Sequence, residues 1–163
     1  MELQVGVKAL LRLAASRQVK PCFICGERTK WKNVRCEHFS KNNEGKYLLL
    51  RRSSEKYPEV GAIWDIVGGR IDPGSPLLEN LKREIKEETG LDLNDEPKLI
   101  AAQDILRVPG KHIVRLTYTA RIDGEPKLDS DNTEFKWFAR EELESLENLD
   151  VYFKELLSKK LIP

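Results

Sequence analysis

An α+β chain folded as an α/β/α sandwich is predicted by two features of the sequence. Six short apolar segments, several rich in β-branched and aromatic residues, are separated by turn residues, and one amphipathic helix interrupts them mid-chain. The expected strands are Leu3–Leu11, Tyr47–Arg52, Ile63–Val67, Leu99–Leu106, Ile113–Ile122 and Glu134–Phe138. Further helices are expected from about Arg140 and over Val151–Lys160. A chain of 163 residues suits one principal domain, 1–163, with a real core and room for one modest insertion.

The mid-chain helix is the most informative element. Asp72-Pro73-Gly74 reads as a turn, Ser75 as the N-cap, Pro76 as the first helical residue and Gly90 as the stop. Leu78, Leu81 and Ile85 recur at helical spacing and form the packing stripe. Glu84, Glu87 and Glu88 fall within about 100° of one another on a neighbouring face, because each helical residue turns the chain by roughly 100°. Like charges at this spacing cost a helix roughly 0.2–0.5 kcal/mol per pair, and a divalent cation would reverse the sign. An oxygen-only donor set suits a hard ion such as Mg²⁺ or Mn²⁺, which shares its coordination with waters and substrate phosphates. Arg83 is expected either to pair with Glu79, four residues earlier, or to orient one of the carboxylates.

Gly69-x5-Ser75-x7-Arg83-Glu84-Ile85-x-Glu87-Glu88-x-Gly90-Leu91 resembles the signature box of the Nudix hydrolases, departing from it at Ser75, where the family has a Glu. The resemblance implies the Nudix fold, with a mixed sheet and a catalytic helix. It also implies Mg²⁺- or Mn²⁺-dependent hydrolysis of a nucleoside diphosphate-linked substrate, by water attacking phosphorus. Carried over by position, Glu87 and Glu88 would be the main metal ligands, with Glu84 a further ligand or the base and the Gly68 carbonyl a backbone ligand. Arg83 would orient the carboxylates. The box does not encode the substrate, so a nucleoside triphosphate or nucleotide-sugar is the default. A nucleotide-binding module with weak catalysis is the alternative that Ser75 raises. Val5-Gly6-Val7-Lys8-Ala9-Leu10 resembles the family's first strand, and Gly45 to Arg52 its second.

Between those two strands lie about 27 extra residues, 14–40, too many for a structureless loop in a compact domain. They contain Cys22, Cys25 and Cys36, followed by His38, an arrangement that could close a tetrahedral Cys₃His zinc site. The competing reading is three reduced, inert thiols, since an odd count forbids complete disulfide pairing. Charge is uneven: residues 1–60 carry +7 and residues 61–163 carry −6. Lys20, Arg28, Lys30, Lys32 and Arg35 around Trp31 read as a solvated basic surface in preference to a nucleic-acid contact.

Arg51 and Arg52 lie where the resemblance places the substrate and are candidate phosphate contacts, although strand neighbours face opposite ways. Glu134 is a candidate extra carboxylate near the site. His112 reads as a loop histidine, and Trp64 and Trp137 as core or substrate-wall aromatics. No apolar run approaches membrane-spanning length, and Glu2, Lys8 and Arg12 break up the start that a secretory signal would need. A cytoplasmic location follows as the expectation, with a nucleotide as partner, no membrane, and a homodimer left open.

Overall fold

The computed structural model describes residues 2–13 and 45–163 apart from 94, 108 and 123, with backbone alone for 2–5, 12 and 13. Six strands and three helices follow in the order β1 (Glu2–Leu13), β2 (Tyr47–Arg52), β3 (Trp64–Asp65), α1 (Leu77–Thr89), β4 (Lys98–Ile105), β5 (Lys111–Ile122), β6 (Asn132–Phe138), α2 (Arg140–Glu144) and α3 (Val151–Ser158). The sheet order is β3-β2-β1-β5-β4, with β6 on the other side of β2. β1 runs parallel to β5 along its whole length, from Glu2 opposite Lys111 to Leu13 opposite Ile122, and the other pairs of these strands are antiparallel. The sheet is therefore mixed, as expected.

Alternation of side chains along β1 and β2 splits the core in two. Val7, Ala9, Leu11, Leu48 and Leu50 pack with Leu81 and Ile85 of α1, whereas Leu10, Tyr47 and Leu49 pack with Leu143, Phe153, Leu156 and Leu157 of α2 and α3. Burying a side chain of this size contributes roughly 1.5–3 kcal/mol, which fixes α1 against one face of the sheet and α3 against the other. Among the described residues no helix is long and apolar enough to cross a membrane.

The expected third strand, Ile63–Val67, is shorter than the sequence suggests. After Asp65 the chain leaves β2 and crosses to β1, bridging Val67 to Ala9 and Arg70 to Gly6. Gly68 makes the crossing possible. Its φ is +129°, and a Cβ there would stand 2.3 Å from the Val7 carbonyl oxygen, so no other residue fits without displacing backbone.

The start of α1 also differs from expectation, because the N-cap is Pro76 rather than Ser75. The Ser75 amide is used in the preceding turn, donating to the Asp72 carbonyl at 3.1 Å. Asn80 instead braces the turn before the helix, its side-chain amide donating to the Pro76 carbonyl while its oxygen accepts from the Asp72 amide, both at 2.9 Å, and among the described residues no side chain caps the first helical amides. Gly90 ends the helix in the left-handed conformation, φ +69°, as its position predicted. α3 has a cap that local pattern reading overlooked: the Asp150 carboxylate accepts from the Tyr152 and Phe153 amides.

Candidate metal and nucleotide site

Packing of Leu81 and Ile85 against the sheet turns the acidic face of α1 toward the Gly68-Gly69 crossing. Gly68 is buried, and its amide donates to Glu88 Oε2 at 2.9 Å. Gly69 brings Glu84 equally near, since a Cβ on Gly69 would lie 2.4 Å from Glu84 Oε2. The bare backbone of the glycine pair is thus what lets two carboxylates approach the crossing.

Arg83 organises the remainder. Its guanidinium donates to Glu84 Oε1 and Glu87 Oε2, each at 2.7 Å, and to the Arg70 carbonyl at 3.2 Å, and it pairs with Asp72 at 3.3 Å. The expected Glu79–Arg83 pair does not form, because Glu79 pairs with Lys82 at 3.0 Å and Arg83 turns inward. Ser75 makes no side-chain hydrogen bond among the described residues, and the acidic residue of this turn that reaches Arg83 is Asp72.

The electrostatics follow from burial. Loss of solvent pushes Glu88 up to about 7, against the pull of Lys8 and of the Gly68 amide. Burial raises Glu84 as well, despite the adjacent guanidinium. A shared helix face has not gathered the three carboxylates at one point: Arg83 holds Glu84 and Glu87 while Glu88 turns to the Gly68 amide. Among the described residues no three His, Cys, Asp or Glu side chains converge tightly enough to hold an ion as they stand.

The donor set nevertheless fits a hard cation. It is all oxygen, two of its carboxylates are destabilised as anions by burial, and the Gly68 carbonyl takes no hydrogen bond among the described residues. The neighbouring carbonyls are occupied, that of Gly69 by the Val7 amide at 2.9 Å, that of Val67 by the Ala9 amide at 2.7 Å and that of Ile66 by Lys8 Nζ at 3.0 Å.

The remaining candidates lie elsewhere on the sheet. Arg51 and Glu134 are cross-strand partners joined at 3.2 Å, and the Arg51 guanidinium lies 6.0 Å from the Trp64 ring centre. Arg52 points the other way, as alternation predicted, to Asp65 at 3.6 Å and over the Tyr57 ring at 5.5 Å. Glu134 is half exposed. Trp64 belongs to the core, packed edge-on against Phe138, while Trp137 is only partly buried. His112 is on β5 rather than in a loop, with its Nε2 2.9 Å from Asp104 Oδ1 across the β4–β5 pair. Cys22, Cys25, Cys36 and His38 lie outside the described residues, as does the whole basic cluster around Trp31.

Two residues of the region escaped sequence reasoning. Lys8 and Asp65 form a buried ion pair at 2.9 Å beside the glycine crossing, and Arg115, 3.2 Å from Asp65, links it to Asp150 at 2.6 Å. A lysine inside the apolar run Val7-Lys8-Ala9-Leu10 was the available signal, since a buried ammonium requires a carboxylate partner.

The family described as NUDIX domain matches residues 38–159, three quarters of the sequence. The chain belongs to the Nudix family. Human 8-oxo-dGDP phosphatase NUDT18 is 31% identical over 107 residues, which are 63% of this Nudix chain and 31% of that protein. Nucleoside triphosphatase NudI of Escherichia coli K12 is 42% identical over 48 residues, 29% of this chain and 33% of that one. RNA pyrophosphohydrolase of Bartonella bacilliformis is 42% identical over 53 residues, 31% of each. The chain therefore spans about a third of the length of these curated relatives. Among solved structures, a MutT protein from Methanosarcina mazei Go1 superposes with a TM-score of 0.70 at 22% identity, over 97% of this chain and 92% of that one. A MutT Nudix hydrolase from Burkholderia pseudomallei gives 0.66 at 25% identity over 97% and 98%. These likenesses establish the Nudix fold of the described residues.

Proposed function

We propose that this Nudix protein is a nucleotide pyrophosphohydrolase that works with Mg²⁺ or Mn²⁺ and cleaves a nucleoside triphosphate or a nucleotide-sugar by attack of water on phosphorus. The observation that carries the reading is the seating of Glu88 on the Gly68 amide and of Glu84 against Gly69, beside a Gly68 carbonyl that takes no hydrogen bond among the described residues, in a chain with the Nudix box. Glu84, Glu87, Glu88 and the Gly68 carbonyl are the residues that would hold the cation. When bound, the cation would polarise the phosphoryl oxygens and offset the charge that develops on them.

The chain's own groups have distinct parts in this reading. Glu84, whose burial raises its proton affinity, suits the base that takes a proton from the attacking water. Arg83 holds Glu84 and Glu87 at fixed places, and releasing Glu87 from it is what would complete the donor set. Arg51 and Glu134 remain candidate substrate contacts, paired with each other beside Trp64 on the face of β2 that packs against α2 and α3 rather than on the face of α1. Arg52, committed to Asp65, is the weaker phosphate contact. The names of the relatives, a dGDP phosphatase, a nucleoside triphosphatase and an RNA pyrophosphohydrolase, favour a nucleotide substrate. The same reading takes 1–163 as one cytoplasmic domain, with residues 14–40 inserted and held by zinc on Cys22, Cys25, Cys36 and His38.

The test is a panel of nucleoside di- and triphosphates and nucleotide-sugars, incubated with Mg²⁺ and resolved by chromatography. Turnover that needs the metal and disappears in Glu87→Gln is expected. Binding of nucleotide without turnover would instead favour a Nudix-fold binding module, a reading that the unconverged carboxylates and Ser75 support. Zinc near one equivalent by mass spectrometry, lost in Cys22→Ser, is the expected result for the insertion, and metal-free protein would refute it.

A further inference from the structure

We propose that Lys8 is a positioning residue that sets the Gly68 crossing in place and, through it, Glu88. The inference rests on the reading of Glu88 as a metal ligand.

The lysine stands at the centre of the sheet, its side chain only 12% exposed. Burying an ammonium is costly without compensation, so its contacts are obligatory rather than incidental. Nζ donates to the Ile66 carbonyl at 3.0 Å and pairs with Asp65 at 2.9 Å. Asp65 cannot drift, because Arg115 and Arg52 also hold it, at 3.2 and 3.6 Å. Backbone bonds from Val7 and Ala9 grip Gly69 and Val67 on either side, so three consecutive residues of β1 take the carbonyls of Ile66, Val67 and Gly69. The carbonyl they leave over is that of Gly68. Of these three ties the lysine's is the one made by a side chain, and it is the one that reads the position of Asp65.

The packing is close enough to transmit a shift. A Cβ on Gly68 would lie 2.9 Å from Lys8 Cα, so the crossing has no slack against β1. Its amide then presents a fixed donor to Glu88 at 2.9 Å. A displaced Ile66 would rotate the Gly68 peptide, moving the amide on Glu88 and the free carbonyl together.

Amide hydrogen exchange and Mn²⁺ binding, the latter followed by electron paramagnetic resonance without nucleotide, test this on the full chain. In Lys8→Met, exchange at Gly68 is expected to rise about tenfold, while amides of Leu156 and Leu157 in α3 stay within about twofold. Mn²⁺ affinity is expected to fall about tenfold, and Lys8→Arg should recover most of both effects. Should Lys8→Met not fold, Lys8→Gln, which keeps an N–H donor for the Ile66 carbonyl, carries the same comparison. Unchanged exchange at Gly68, or tighter Mn²⁺ binding as expected of a simple removal of positive charge, would overturn the proposal. Absence of Mn²⁺ binding in the wild-type protein would defeat the metal reading instead, leaving the exchange result to judge the hold of Lys8 on Gly68.

Discussion

Two arginines in this molecule each gather carboxylates, and they do so with opposite balance. Arg115, with a side chain 6% exposed, sits between Asp65 and Asp150, and Lys8 and Arg52 add further positive charge around Asp65. There the cations prevail: although burial works the other way, Lys8, Arg115 and Arg52 hold the Asp65 carboxyl well below the usual carboxylate range. Arg83, by contrast, lies nearer solvent and faces Asp72, Glu84 and Glu87. There the carboxylates outnumber the guanidinium, and loss of solvent, with a smaller push from Glu84, brings Glu88 up to about 7. A matched cluster cements the fold, tying β1, β3, β5 and the cap of α3. In the proposed reading, the cluster left in deficit of positive charge is the one that takes a cation.

The contrast can be broken most forcefully at Arg115. Arg115→Met leaves Asp65 and Asp150 buried with reduced compensation and is expected to cost about 3–5 kcal/mol in equilibrium urea unfolding. A loss below about 1 kcal/mol would mean that the cluster is not a structural cement. At the other cluster Gly69→Ala should spare the fold, because Gly69 has no left-handed backbone requirement, yet its new Cβ would displace the Glu84 carboxylate from 2.4 Å. Turnover is expected to fall on the order of 10²-fold, as misplacement of a reacting group by about 1 Å does, with the melting curve little changed.

The pH dependence of stability in metal-free protein sharpens the comparison. Glu88 binds its proton more tightly folded than unfolded, so its contribution is complete below the ordinary carboxylate range and is lost as pH rises toward about 7. The wild-type protein should therefore lose, relative to Glu88→Gln, on the order of 2 kcal/mol between pH 4.5 and pH 7.5, read as the difference between two urea titrations. Asp65 has the opposite sign. Its stabilisation is present above the ordinary carboxylate range and is lost only as pH falls well below it. Saturating Mn²⁺ should abolish the Glu88 difference. The smallest effect belongs to Lys82→Ala, which removes an ion pair with Glu79 whose side chains are both more than half exposed. A change under about 0.5 kcal/mol, erased by salt, is expected in thermal melts.

Much of the fold was legible because its signals are local. Leu78, Leu81 and Ile85 marked the buried stripe of α1, Gly90 marked its end, and alternation marked Arg51 and Arg52 as facing apart. The misreadings have equally local causes. Ser75 is a reasonable cap residue, but its amide is spent in the Asp72 turn, and the helix starts from Pro76 without a side-chain cap. The Glu79–Arg83 spacing was right for a helix pair, yet Arg83 had better partners arriving from the glycine crossing and from its own face.

Residue order along one helix thus sufficed to place Glu84, Glu87 and Glu88 side by side, because helical pitch acts over a few residues. Where each carboxylate points was settled by long-range packing: Leu81 and Ile85 against the sheet, Arg83 drawing two glutamates, Gly68 holding the third. The union of Lys8, Asp65, Arg115 and Asp150 had the same origin. These charges come from distant parts of the chain and meet because burial leaves each of them no other partner.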